Sequence, residues 1–356
     1  MGRLNKIIIG VPVLAVLMCF PVLAYHDAGV AHCNGCHTMH NSQDGQLVDP
    51  DSPNGNAWLM VQSESSDVCL ACHATRLGAV FGDDPLNPPA ERGGGNFIFL
   101  LEDNINDGHA GADNPISGDA AGHNIISANM GVAADATLTT APGGTFPAGI
   151  LSCTSCHDPH GNGDFRLLYG AGPVQDGSYN FTAPAPDATG LGLFGPGESE
   201  SNHTAYNDAM SDRSANSHGD YPATHGNLRH PAGVALGGSI STAYNLYNGT
   251  EDISGGTQAT AYLAEVPFED STVTTDSTAG PSANSKVACI SCHRAHATSA
   301  PDAGRWDFSV TLLMEDGHES GSYPIPDPYN SINQRSLCNK CHVKDAGDHI
   351  ADGGVE

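Results

Sequence analysis

The chain has 356 residues, with 43 glycines, 23 prolines and 6% aromatic side chains, and few periodic apolar segments, so the material for an ordinary aliphatic core is missing. Forty acidic residues against thirteen basic ones give a formal net charge of −27. Such a surface repels nucleic acid and anionic membranes, so no nucleic acid is expected as a partner and a membrane is met only at the outer surface, if at all.

Residues 1–24 open with Arg3 and Lys6, continue with the apolar run Ile7 to Phe20, and end in small residues at Val22 and Ala24. This reads as a secretory signal peptide, with an apolar stretch too short to span a bilayer comfortably. Its removal takes two basic residues and no acidic one, leaving −29. Residues 25–356 are expected to fold as one unit outside the cytoplasm.

Of eleven cysteines, Cys19 leaves with the signal. The other ten fall into five identically spaced pairs, each followed at once by histidine. In chain order they are Cys33-x-x-Cys36-His37, Cys69-x-x-Cys72-His73, Cys153-x-x-Cys156-His157, Cys289-x-x-Cys292-His293 and Cys338-x-x-Cys341-His342. This is the attachment signature of c-type haem. Two cysteines three apart share one face of a helical turn and can both reach the vinyl groups of one porphyrin. The adjacent histidine then meets the iron as proximal ligand. Disulfides would give no reason for five histidines in register. Zinc sites combine two Cys-x-x-Cys pairs without an obligate histidine, and a thioredoxin-like motif does not recur five times. Five covalently attached haems are therefore expected. They explain the missing core, and the expected fold is mostly irregular coil with short α-helices at the haem motifs.

Each iron needs a second axial ligand. Five of the 18 histidines are proximal, and the mature chain has only five methionines, in no consistent relation to the motifs. Bis-histidine ligation is the economical reading, implying low potential and closed irons. Three motifs are extended by a histidine three residues on, at His40, His160 and His296. A histidine so close cannot easily reach the far face of its own haem, but it is well placed for a neighbouring one. His123 and His230 are further candidates. His26, His32, His109, His203, His225, His318 and His349 are weaker ones, flanked mostly by Gly, Asp or Asn. No motif ends in lysine, and no cysteine remains for nucleophilic catalysis.

Extended motifs stand at 33, 153 and 289; plain ones follow the first and the last. The doublet repeat calls for a plain motif between 153 and 289. Ser214-Ala-Asn-Ser217-His218 lies there with the right spacing and with serine in both cysteine slots. Serine cannot form the thioether, so the segment reads as a haem motif that has lost covalent attachment.

Stretches outside the haem motifs carry a resemblance. They include GHNI at 122–125, TLTTAPGGTFPAGIL at 137–151, NLRHPAG at 227–233, GTQATAYL at 256–263 and VPFED at 266–270. With the sequence around the motifs themselves, the chain resembles the OmcS family of outer-surface hexahaem cytochromes of metal-reducing bacteria, which polymerise into conductive filaments. The likeness runs from near residue 29 to near 346 and is poor over 74–115 and 176–205. It places the family's fourth motif at Ser214–His218, where this chain departs from the pattern. It implies that His40 ligates the haem on His293 of an adjacent subunit, and hence a homopolymer. The expected activity is long-range extracellular electron transfer, from periplasm to outer surface, toward redox partner cytochromes or an extracellular acceptor, with no chemical product. A monomeric periplasmic shuttle and a multihaem reductase with an open iron are the alternatives.

Overall fold

The computed structural model describes residues 33–74, 80–90, 93–101, 105–106, 115–116, 118–190, 198–218, 232–249, 255–306, 308, 329 and 337–342. The expected signal peptide at 1–24 and the candidate His230 lie outside them. Among the described residues, most of the backbone is turn, bend or irregular, and the α-helices are short. They are α1 (Ser65–His73), α2 (Met210–His218) and α3 (Gly237–Leu246). No helix among them is long and apolar enough to cross a membrane.

The expectation of α-helix at the motifs holds for one of five. Cys69–His73 ends α1, whose first turn carries Asp67, an acidic side chain that suits a helix N-terminus. The cysteines of the other four motifs sit on 3-10 turns: Cys33–Gly35, Cys153–Ser155, Cys289–Ser291 and Leu337–Lys340. A 3-10 turn suffices because the motif spans only one turn, closed by a bond from the second cysteine N–H to the first cysteine carbonyl, to which the histidine N–H also donates. The degenerate Ser214–His218 does lie on a true helix, as the C-terminal half of α2.

The largest sheet has four short strands in the order Lys286–Val287, Phe268–Glu269, Ala205–Asp208, Asp187–Thr189. All its pairs are antiparallel except Ala205–Asp208 with Phe268–Glu269. This sheet supports α2. The buried Glu269 carboxylate accepts the Ser211 N–H at 3.0 Å on the first turn of α2 and the Lys286 Nζ at 3.0 Å from the neighbouring strand. It thus satisfies an otherwise orphaned helix donor and pairs a buried charge. A Glu269→Ala variant is expected to lose about 1–3 kcal/mol, since Lys286 is left partly exposed with Asp208 beside it, read as a lower denaturant midpoint with unchanged slope.

Buried apolar residues form four clusters rather than one contiguous core. Leu70, Phe97, Ile98 and Phe99 belong to the largest, and Tyr244, Trp306 and Leu337 to the second. Tyr206 with Met210 and Ile290, and Tyr169 with Phe181, complete the set. Between them runs a cavity of about 4030 Å³, several times the ~300–1,000 Å³ of an ordinary ligand pocket. Glu265 lies beside the second cluster with its Oε2 buried and unbonded. Burial, with Glu200 and Glu198 nearby, raises its pKa, against the opposing pull of its own backbone and Arg305. A carboxyl raised in the fold is most favourable when protonated, and its contribution is lost as pH rises through the folded value. Glu265→Gln is therefore expected to stabilise the protein by about 1–3 kcal/mol at pH 7. The gain should vanish in melts near pH 4, where the wild-type carboxyl is protonated.

Candidate functional site

The cavity is lined by the histidine and at least one cysteine of every Cys-x-x-Cys-His motif, and by Ser214, Ser217 and His218. None of the ten described cysteines is in a disulfide, so the disulfide alternative finds no bridge. Among the described residues no group of three or more His, Cys, Asp or Glu converges to hold a bare metal ion. That is the wrong donor set for structural zinc, which needs four.

The three extended motifs share one local construction. His37 Nδ1 bonds the Trp58 carbonyl at 2.9 Å, His157 Nδ1 that of Arg166 at 2.7 Å, and His293 Nδ1 that of Asp302 at 2.9 Å. A carbonyl only accepts, so Nδ1 carries the proton and the lone pair sits on Nε2, the nitrogen that meets an iron. The clamp is completed by main-chain bonds on either side. Thr38, Asp158 and Arg294 donate to Leu59, Leu167 and Ala303; Val61, Tyr169 and Arg305 donate back to Cys36, Cys156 and Cys292, all between 2.6 and 3.1 Å. To aim these carbonyls, Trp58 and Leu59, Arg166 and Leu167, and Asp302 and Ala303 all adopt left-handed backbone, with φ between 54° and 58°. Such non-glycine conformations cost about 1–3 kcal/mol each and mark a functional constraint.

Buried side chains hold the clamps in place. Arg305 reaches the carbonyls of Ile290, Ala264 and Gly93 at 2.6, 3.2 and 3.2 Å, fixing the 289 motif. Arg213 of α2 donates to the carbonyls of Tyr169 and Cys156 and stacks 4.2 Å over the Phe181 ring, tying α2 to the 153 motif. Lys340, inside the last motif, sits 4.0 Å over the Tyr244 ring and donates to Tyr329.

The second ligands come next. Two imidazoles bound to opposite sides of one metal, each about 2.0–2.1 Å away, hold their ring centroids about 6 Å apart. His37 and His160 lie 6.2 Å apart, nearly parallel at 20°. His157 and His296 lie 6.5 Å apart at 61°. His160 and His296 thus each face the proximal histidine of the preceding extended motif, not that of their own. Burial, with His157 and His123 close by, lowers His296 to about 3, and burial lowers His157 as well. Both are held as the neutral imidazoles that ligation requires.

His123, a candidate second ligand, faces His218 of the degenerate motif, with centroids 5.9 Å apart. His203 does not line the cavity: it stacks on Tyr262 at 3.6 Å, and its Nδ1 and Nε2 bond the Ser199 carbonyl and the Ser277 N–H, both at 3.3 Å. His40 is exposed and does not line the cavity. It is carried beside Asn41, which is buried and pinned to the 49–52 loop through bonds to Asp49 and Ser52.

Residues 122–123 and 94–97 grip the 296–298 segment from both sides. His123 N–H donates to the His296 carbonyl at 2.8 Å, and His296 N–H to that of Gly94 at 2.7 Å. A Cβ on Gly122 would come 2.1 Å from the His296 oxygen. Gly122→Ala is expected to cost at least about 1–3 kcal/mol and to disturb the His157–His296 pair, seen as altered haem spectra in a protein that still expresses.

The motifs follow one another in space in sequence order. Cys36 lies within electrostatic reach of Cys72, and Cys69 lies beside Cys153. Arg213 links the 153 motif to α2, Ser214 of α2 lies beside Cys289, and Cys292 lies near Cys338 and Cys341. The degenerate motif therefore stands between the third and the fifth places of a continuous row.

No family model matches the chain. It is 32% identical to the C-type cytochrome OmcS of Geobacter sulfurreducens, over 96% of this chain and 99% of that protein. The solved cryo-EM structure of the OmcS nanowires from the same organism superposes with a TM-score of 0.72 at 31% identity, covering 90% of this chain and 100% of that one. A second structure, the outer membrane cytochrome S filament, gives 0.73 at 30% identity with the same coverage. The recurring Cys-x-x-Cys-His clamps, the facing histidines and this likeness over the whole length agree: the chain belongs to the OmcS family of c-type cytochromes.

Proposed function

We propose that the protein is an exported pentahaem c-type cytochrome that carries electrons over long range outside the cell as a homopolymeric filament. Haem iron bound at these sites supplies one-electron redox chemistry. The chain supplies attachment through Cys33 and Cys36, Cys69 and Cys72, Cys153 and Cys156, Cys289 and Cys292, and Cys338 and Cys341. It supplies proximal ligation through His37, His73, His157, His293 and His342. His160 and His296 are assigned as the second ligands for the haems on His37 and His157. No product is made.

The observation that carries the polymer is the displacement of the extension histidines. His160 serves the first extended motif and His296 the second, by the facing pairs at 6.2 and 6.5 Å. The third, on His293, has no later extended motif in the chain to serve it. His40, exposed and turned out of the cavity, is the unused extension. A second copy closes the series. Met39, next to His40 in the chain, is 76% exposed and offers an apolar side chain to that contact. The solved relatives are filaments.

Electron microscopy and light scattering of gently sheared secreted protein test the reading. Filaments of uniform width support it. Particles of single-chain size throughout would favour the periplasmic shuttle instead.

A further inference from the structure

We propose that the Ser214–His218 site holds a non-covalent, b-type haem between His218 and His123. This inference rests on the multihaem reading above and goes beyond its five covalent sites.

The geometry around these two histidines repeats that of the working sites. Their ring centroids lie 5.9 Å apart, close to the 6.2 and 6.5 Å of the other two facing pairs. Each ring is oriented by the same device, a bond from Nδ1 to a main-chain carbonyl. His218 uses Pro142 at 3.1 Å, and His123 uses Ala295 at 2.6 Å. Both therefore carry the proton on Nδ1 and the lone pair on Nε2. A bare ring–ring contact would be worth about 0.5–1.5 kcal/mol and would give no reason to orient both rings this way.

The surroundings are built to hold the pair. Close approach of the 142–144 turn to the end of α2 depends on Gly144, where a Cβ would come 1.8 Å from the Ser217 carbonyl oxygen. Glu269 and Arg213 fix the two ends of the N-terminal half of α2. His123, Ser214, Ser217 and His218 all line the large cavity. Two histidines with no third donor among the described residues suit a metal that brings its own four equatorial nitrogens, not a bare cation.

Serine hydroxyls do not add to the porphyrin vinyls, so the only bonds formed are the two between iron and Nε2. The ligand keeps both vinyl groups and leaves on denaturation. It would stand between the third and fifth places in the row of motifs, where a gap would otherwise interrupt it.

The test uses the secreted holoprotein, produced with haem supplied. Acid–ketone extraction removes haem held only by its iron and leaves thioether-bound haem on the chain. About one extractable haem per chain is expected, beside the covalent haems counted by denaturing mass. His123→Ala and His218→Ala should each lower the extractable haem at least tenfold, with the covalent count unchanged. A Ser214→Cys/Ser217→Cys double variant should convert it, raising the covalent count by one and leaving none to extract. No extractable haem in a wild type carrying its full covalent complement would overturn the proposal. So would extractable haem that persists in both histidine variants. A wrong covalent count would instead strike the multihaem reading, and the two failures are read separately.

Discussion

A His40→Ala variant is expected to be secreted with its full covalent haem complement and to form no filaments. His40 sits three residues beyond a motif whose own histidine, His37, already faces His160 at 6.2 Å. It is exposed and lines no part of the cavity, so its loss leaves the interior of the single chain intact. What it removes is the iron ligand donated across the contact between copies, together with the stiffness of a bond through a metal. The apolar contact offered by Met39 alone is small, and interfaces below about 1,000 Å² are transient. Light scattering should therefore fall from polymer to single chains. The haem on His293 should then accept added imidazole, which wild-type filaments exclude. Filaments of normal length in the variant would remove His40 from the junction.

The second large effect is expected at His296. It follows the Cys289 motif in sequence but faces His157 of the Cys153 motif at 6.5 Å, packed against Phe97 with ring centroids 4.5 Å apart. His296→Ala should open one of the five covalently attached irons, and that one should belong to His157. A high-spin band of about one fifth of the covalently attached haem is predicted, with ready binding of carbon monoxide on reduction. Its companion is a His157→Ala/His296→Ala double variant: if the two residues share one iron, their effects are not additive. An unchanged low-spin spectrum in His296→Ala would mean that the facing pair does not share a metal.

How much of this was legible in the sequence differs from part to part. The five motifs are legible because covalent attachment allows one spacing and one order of residue types. The extension histidines are legible as ligands for a neighbour, because three residues of chain cannot carry an imidazole around a porphyrin edge. The vacant beat of the doublet repeat pointed to Ser214–His218. The carbonyl clamps were not legible. Their aiming residues are Trp58, Arg166 and Asp302, none of them a type that favours left-handed backbone strongly enough to announce it. The partner lies nine residues from His157 and from His293 but 21 from His37, so the spacing is shared by only two of the three clamps. His123 could be named as a candidate but not assigned, since its approach to His218 depends on the turn at Gly144 and on the grip of residues 122–123 on 296–297. Helix at the motifs was overestimated for a simple reason: one turn is all that two cysteines three apart require, and a 3-10 turn provides it.

The central claim is that this chain folds around haem bonded to its own cysteines. The intact mass of the secreted protein under denaturing conditions tests it most directly. The account predicts the mass of the processed chain plus five haems, with no free thiol left to alkylate. A mass with no added haem and ten reactive thiols would contradict it, and would take the proposed core, ligands and function together.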